Sequence, residues 1–283
     1  MLKRSFSIGA LTDVGNVKKI NQDNILVRIG DGSLGEFGLF VVADGMGGLA
    51  AGETASRMIV NGFSSWWDNK LSSMLNTDEN LNIGIVNKEL DTLIRAINSD
   101  IIDFGLSIND KVGSTLSMLF IYGSTYLIKH IGDSRVYLIN SSMTKLTEDH
   151  SWVALQVREG KMTPEEARNH PKRNILTRCI GVTHDIEIFE TGGEIRPEDS
   201  FVLCSDGFYN YLDENEIHEG IISGKEDDDN VQEYLVHLLE KVKLRGAHDN
   251  VSVIAVCQCL HEEPVRFFGL KGIIKRIINF GRR

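Results

Sequence analysis

The sequence predicts an α+β fold in which sheets are covered by helices. Three observations carry this. Many short apolar runs of strand character follow one another with connections short enough for hairpins, which favours antiparallel pairing. Two long segments carry apolar residues at helical spacing. No internal repeat or domain-sized linker interrupts them, so the elements are expected to share one layered core.

The elements follow in order. Residues 36–43, "EFGLFVVA", read as a strand. Ala55, Met58, Ile59, Phe63 and Trp66 place an amphipathic helix over about 50–68. Residues 69–82 read as a loop, and Val86, Leu90, Leu93, Ile94, Ile97 and Ile101 mark a second helix over 83–104. Strands are expected at "STLSMLFI", "TYLIKHI" and "RVYLIN", with Tyr122–Ser124 and Gly132–Ser134 as hairpin turns. The polar stretch 147–185 is helical in pieces. Within it "TPEE" at 163–166 reads as a capping box opening a short helix from 164 to about 169. Strands return at "IEIFE" and "SFVLCS", Val231, Leu235, Leu238, Leu239 and Val242 mark a late helix, and "VSVIAVCQC" is a closing strand. From residue 261 the chain turns basic and amphipathic: "VRFFGLKGIIKRIINFGRR" holds six Lys and Arg and no acid.

Composition narrows the function. A net charge of −10 argues against general nucleic-acid binding, which needs a basic face. Cys179, Cys204, Cys257 and Cys259 make no C-x-x-C pair and read as reduced thiols of a cytosolic protein rather than a zinc site. "MLKRSFSIGALTDVG" lacks a signal-peptide core, and no run reaches the ~20 apolar residues of a membrane span. There is no G-x-S-x-G elbow, no cysteine-phosphatase loop and no P-loop.

The chemistry lies in aspartates. Asp23 precedes an apolar run, Asp44 ends "FVVADG", Asp206 ends "FVLCSDG", Asp249 opens "DNVSVIAV", and Asp133 sits in "HIGDSRVYL". One Asp-Gly is ordinary turn chemistry. Five aspartates at apolar strand ends are a set, because a carboxylate near a core is costly unless a cation offsets it. Hard divalent cations take oxygen ligands, and glycine after Asp44 frees the backbone carbonyl to join them. Two such ions ~3.5–4 Å apart activate water toward phosphorus.

These motifs resemble the metal-dependent type 2C serine/threonine protein phosphatases in their compact bacterial form. The likeness runs in order through "TDVGNVKKINQDN", "VVADGMGG", "GSTL", "KHIGDSRVYLI", "LTEDHSWV", "EGKMTPEEARNHPKRNILTRCIG", "LCSDGFYNYL" and "DNVSVIAV". It implies a four-layer α-β-β-α sandwich of two antiparallel sheets flanked by helices. It implies a catalytic domain over 1–260, a specificity flap at 147–185 and a separate tail at 261–283. By motif, Asp44 would bridge two central Mn²⁺ or Mg²⁺ ions and Gly45 would give its carbonyl to one. Asp206 and Asp249 would bind the other, Asp23 would act through water, and Asp133 with Asp206 would hold a weaker third ion. The implied catalytic set is Asp44, Asp206 and Lys18. Lys18 stands where the family has an arginine that grips the substrate phosphate, as a point charge without the fork. Gln22 replaces a common glutamate, and Met46 and Leu49 occupy positions where many members carry a histidine. The expected substrates are phosphoserine and phosphothreonine proteins, opposing a bacterial kinase. The chain is expected to be a cytoplasmic monomer, and its tail reads either as a solvated or locally packed terminus or as a segment that docks on a membrane surface or a partner protein. A phosphatase fold kept as a binding scaffold is the alternative, favoured by Lys18 and the missing histidine.

His150 reads as an anchor for the start of the flap, Arg135 as a carboxylate partner, and Asn250 as a support for the turn of Asp249. Gly113, Ser114 and Thr115 read as structural, and Trp66 and Trp67 as core or helix-face residues.

Overall fold

The computed structural model describes residues 2–48, 51–77, 81–226 and 231–262. Strands β2 (Asp23–Gly32) and β3 (Gly35–Met46) form an antiparallel hairpin in the register Asp23↔Asp44 through Gly32↔Gly35. Each strand brings one aspartate to the open end of the hairpin. β5 (Leu116–Tyr122) and β6 (Thr125–Ile131) pair across Gly123, whose φ of +54 suits a glycine in a tight turn. The two-residue β4 (Gly113–Ser114) pairs with the end of β3.

The remaining strands are β1 (Leu2–Asp13), β7 (Arg135–Ile139), β8 (Met143–Lys145), β9 (Phe189–Glu194), β10 (Ser200–Cys204) and β11 (Val251–Glu262). Across the curled sheet the order is β8-β7-β10-β11-β1-β3-β5-β6-β9, with β2 and β4 on β3. Among the described residues every strand pairing is antiparallel except one parallel contact, Arg4↔Gly35, which joins β1 to β3. The helices are α1 (Ala51–Ser65), α2 (Ser72–Thr77), α3 (Ile83–Ile108), α4 (Trp152–Arg158), α5 (Pro164–Arg168), α6 (Asp206–Tyr209), α7 (Glu214–Glu226) and α8 (Val231–Leu244). The fold is mixed α+β.

Burial explains why "FVVA" and "FVLC" are continuously apolar. In β3, Val41 and Ala43 join a core with Ala55, Ile59 and Phe63 of α1 and Leu90 and Ile94 of α3. Their neighbours Phe40 and Val42 join a different core with Phe201, Leu203, Ile254 and Val256. In β10, Val202 and Cys204 pack instead under Ile217 and Ile221 of α7 and Leu235 of α8. A strand apolar on both faces is a strand covered on both faces.

Several expectations need correction. Gly132–Ser134 is not a hairpin turn: β6 pairs with β5 and β9, whereas β7 pairs with β8 and β10. The chain crosses there from one part of the sheet to another, with Gly132 at φ +116. The first helix does not end in a loop at 69. A π-helical turn, Trp66–Leu71, carries it into α2. Trp66, Trp67 and Leu71 are buried in it. "IEIFE" is displaced, since β9 begins at Phe189. β1 and α7 are additional elements. The tail beyond residue 262 and Leu49 lie outside the described residues.

The capping box at Thr163 and Glu166 is formed, Trp66 and Trp67 are core, and the four cysteines are free thiols. Among the described residues no helix is long and apolar enough to cross a membrane.

Candidate metal centre

Asp23 and Asp44 stand directly opposite each other on β2 and β3. Like charges at such a cross-strand position repel, so this register needs a compensating interaction. Asp44 is fixed through its backbone: its N–H donates to Thr115 Oγ1 at 3.0 Å, and its carbonyl accepts from Thr115 N at 2.8 Å and Ser114 Oγ at 3.0 Å. This is the structural role expected of Ser114 and Thr115. Gly45 follows because nothing larger fits: a Cβ there would lie 2.1 Å from the Gly52 carbonyl oxygen and 2.8 Å from that of Gln22.

Asp206 opens α6 directly after β10. Ser205, one residue earlier, donates from Oγ to Asp23 Oδ2 at 2.8 Å and accepts from Ser252 N at 3.0 Å. One serine thus ties β2 to β10 and β11. A Cβ on Gly207 would lie 2.0 Å from the Asn250 carbonyl oxygen, so α6 and the Asp249–Asn250 turn press together. Asn250 does more than shape that turn. Its Nδ2 donates to the carbonyls of Val14 and Ile20, at 2.9 and 3.1 Å, and its Oδ1 accepts from Gln22 N at 2.9 Å. It clamps the loop that carries Lys18, whose Nζ lies 3.0 Å from Asp249 Oδ1.

Asp133 is buried at the crossing from β6 to β7. Tyr209 Oη donates to its carbonyl at 3.0 Å, and Arg135 lies 3.6 Å over the Tyr209 ring while pairing with Asp149 at 2.7 Å. Arg135 is therefore a carboxylate partner, as expected. His150 is held to the crossing between β6 and β7: its Nδ1 accepts from Gly132 N at 3.1 Å, and its own N–H donates to the Gly132 carbonyl at 2.7 Å. His248 is exposed and shares a 2.8 Å hydrogen bond with Tyr211 Oη.

The electrostatics describe one coupled set. Burial pushes the Asp23 carboxyl up to about 6, with Asp249 adding to it and the nearby side chains of Ser252, Ser205 and Asp44 opposing it. Asp44 is held well above its ordinary range by burial, then by Asp23, Asp206, Asp133 and Asp249. Asp206 is raised in the same way by burial, Asp133, Asp249 and Asp23. Asp133 is pushed up to about 7 by burial and Asp149, against Arg135. Burial draws Lys18 down, but Asp249, Asp44 and Asp206 outweigh it and the ammonium is raised. The structure thus brings together all five predicted aspartates and Lys18.

This donor set fits a hard divalent cation. It is all oxygen, it repels itself, and Asp23 Oδ1 is buried with no hydrogen-bond partner among the described residues. Among the described residues no three His, Cys, Asp or Glu are already closed around one point. Cations of this kind complete their shells with water and backbone carbonyls, which lie outside that count. The site residues that local patterning did not single out are Ser205 and Ser252. Their only signal was adjacency to the strand-end aspartates.

A mixed α+β fold with buried carboxylates gathered at its strand ends fits the class of proteins that bind divalent cations. The protein phosphatase 2C profile matches residues 16–240. The serine/threonine phosphatase stp of Listeria innocua serovar 6a is 34% identical over 248 residues, covering 87% of this chain and 93% of that protein. The serine/threonine protein phosphatase PstP of Mycobacterium tuberculosis is 31% identical over 249 residues, 87% of this chain and 43% of PstP. Among solved structures, the S. agalactiae serine/threonine phosphatase superposes with a TM-score of 0.78 at 29% identity, covering 89% of this chain and 99% of that one. The PstP catalytic domain in complex with two manganese ions superposes with a TM-score of 0.73 at 29% identity, covering 91% and 99%. The chain belongs to the protein phosphatase 2C family.

Proposed function

We propose that the chain hydrolyses phosphoserine and phosphothreonine in proteins and opposes a bacterial serine/threonine kinase. It is a metal-dependent serine/threonine protein phosphatase. The observation that carries the substrate chemistry is the cluster of Asp23, Asp44, Asp133, Asp206 and Asp249 with Lys18 at its rim.

Asp44, the Gly45 carbonyl, Asp206 and Asp249 are the proposed holders of two central Mn²⁺ or Mg²⁺ ions, with Asp23 acting through water and Asp133 joining Asp206 at a weaker third. When bound, the ions supply Lewis acidity, which lowers the pKa of water and neutralises phosphate charge. The protein does the rest by positioning. Asn250 holds the Lys18 loop in place, Ser205 and Ser252 orient Asp23, and Thr115 and Ser114 fix the Asp44 backbone. Lys18 offers the phosphate one point charge at the edge of the cluster. Asp44, Asp206 and Lys18 form the proposed catalytic set.

The four-layer arrangement of two sheets between helices belongs to this proposal. It is supported by the single pairing between β1 and β3, and by a third apolar core built from the strand faces opposite the helices. Residues 1–260 are the proposed catalytic domain and 147–185 its flap. The tail 261–283 is a basic amphipathic docking segment for a membrane surface or a protein, on a cytoplasmic monomer. Its composition supports this, and vesicle binding unchanged by deleting 261–283 would end the membrane part.

The test is phosphate release from a phosphothreonine peptide with Mn²⁺, with and without chelator. Chelator-sensitive release that disappears in Asp44→Asn and Asp206→Asn is expected. Peptide binding without release would favour the scaffold.

A further inference from the structure

Two cavities meet at Asp206. One, of ≈ 550 Å³, runs beneath the flap past Asp133, and the other, of ≈ 690 Å³, runs toward Asp249 and His248. Arg168 and Arg173 line both. Most ionised groups around these cavities are already matched. Arg135 and Lys145 pair with Asp149, Arg158 pairs with Glu148, and Arg245 pairs with Glu216. Asp133 and Asp206 belong to the metal cluster. Among the described residues, Arg168 and Arg173 have neither a carboxylate partner nor a side-chain hydrogen bond, although Glu214 lines the same two cavities.

Both arginines stand on a fixed backbone. Arg168 ends α5, whose start is closed by the Thr163–Glu166 capping box. Arg173 N donates to the His170 carbonyl at 3.0 Å, and His170 packs against Trp152 with ring centroids 5.0 Å apart. Lys172 lies 4.8 Å over the other part of that pair, the Trp152 ring. Two forked cations held beside the reaction centre of a chain with net charge −10 reverse the local sign where a polypeptide must lie.

We infer that Arg168 and Arg173 form an anion subsite that reads a carboxylate or phosphoryl group flanking the phosphorylated residue of the substrate. The inference rests on the phosphatase reading of the site and names the substrates that reading leaves open. Guanidinium forks suit both carboxylate and phosphoryl oxygens, so the two sources share one chemistry.

The experiment compares four phosphothreonine peptides that differ only in the flank: neutral, Asp, a second phosphothreonine, or Lys. For the wild type, kcat/KM is expected to be about tenfold higher on an anionic flank than on the neutral one, equivalent to about 1.4 kcal/mol. Preference for both anionic flanks marks a general anion reader, and preference for the doubly phosphorylated peptide alone marks a phosphoryl reader. The charge-reversed R168E/R173E protein should favour the Lys flank, and R168Q/R173Q should flatten the series. Both side chains are exposed, so neither variant removes a packed group. Equal kcat/KM across the series in the wild type, or an anionic preference surviving in R168E/R173E, overturns the inference. If no peptide is hydrolysed, the phosphatase reading fails separately. Fluorescence anisotropy of the same peptides then decides the subsite: about tenfold weaker binding of the anionic peptides to R168E/R173E upholds it, and equal binding overturns it.

Discussion

Replacing Asp23 by asparagine should stabilise the metal-free protein while weakening its response to metal. Asp23 is 4% exposed and sits opposite Asp44, with one carboxylate oxygen accepting from Ser205 and the other buried without a partner. Burial moves its carboxyl from 3.8 to about 6. At about 1.4 kcal/mol per pKa unit, ionising it in the folded chain costs about 3 kcal/mol relative to the unfolded chain. The folded value lies above the unfolded one, so the cost is absent below about pH 4 and complete above about pH 6. Asparagine keeps an acceptor for Ser205 and presents an amide toward Asp44. The assay is thermal unfolding in chelator from pH 4.5 to pH 8. The variant should melt roughly 6 °C or more above the wild type at pH 8, with the difference closing toward pH 4.5. Added Mn²⁺ should raise the variant's Tm less than the wild type's. A variant that melts lower than the wild type in chelator at pH 8, or whose advantage ignores pH, refutes the reasoning.

Three further outcomes are expected. Gly45→Ala drives a Cβ to 2.1 Å from a backbone oxygen and should cost about 3 kcal/mol and most activity, whereas Gly160→Ala, with nothing within 4 Å but a φ of +69, should cost about 1 kcal/mol; equal melting of the two would contradict the packing argument. Burial depresses His130 to about 4 and His150 to about 3, both below the unfolded value of 6.5, so their contribution is complete above pH 6.5 and lost as pH falls through that window. Protection factors at Gly132 and His150, taken relative to the intrinsic exchange rate at each pH, should therefore fall from pH 6.5 to pH 4. Lys18→Ala should raise KM for a phosphopeptide about tenfold and Lys18→Arg should lower it; a KM indifferent to both would remove Lys18 from phosphate binding.

What was legible in the sequence was local. Asp44, Asp206 and Asp249 stand out because each lies where an apolar run meets a turn, and α5 stands out because its capping box is written in four adjacent residues. β1 was hidden because its partner, β11, lies at the other end of the chain in the register Leu2↔Glu262 to Asp13↔Val251, and because its Gly9 must let α8 approach. The crossing at Gly132–Ser134 looks like a hairpin to any argument from length. Only the long-range pairings of β7 with β10 and β6 with β9 distinguish it. The π-helical turn escaped because Trp66, Trp67 and Leu71 follow Phe63 at steps of three and four residues, which an ordinary helix also allows. α7 did carry a signal: at its start the Asp213 and Glu216 carboxylates each accept from the other's backbone N–H, the pattern of a capping box.

In the proposed function, divalent cations hold these carboxylates together. Anomalous diffraction at the manganese edge from crystals grown with Mn²⁺ tests it most directly. The account predicts anomalous peaks beside the carboxylates of Asp44, Asp206 and Asp249, lost in Asp44→Asn. Flat anomalous density there, in crystals of a protein that still releases phosphate, would contradict it.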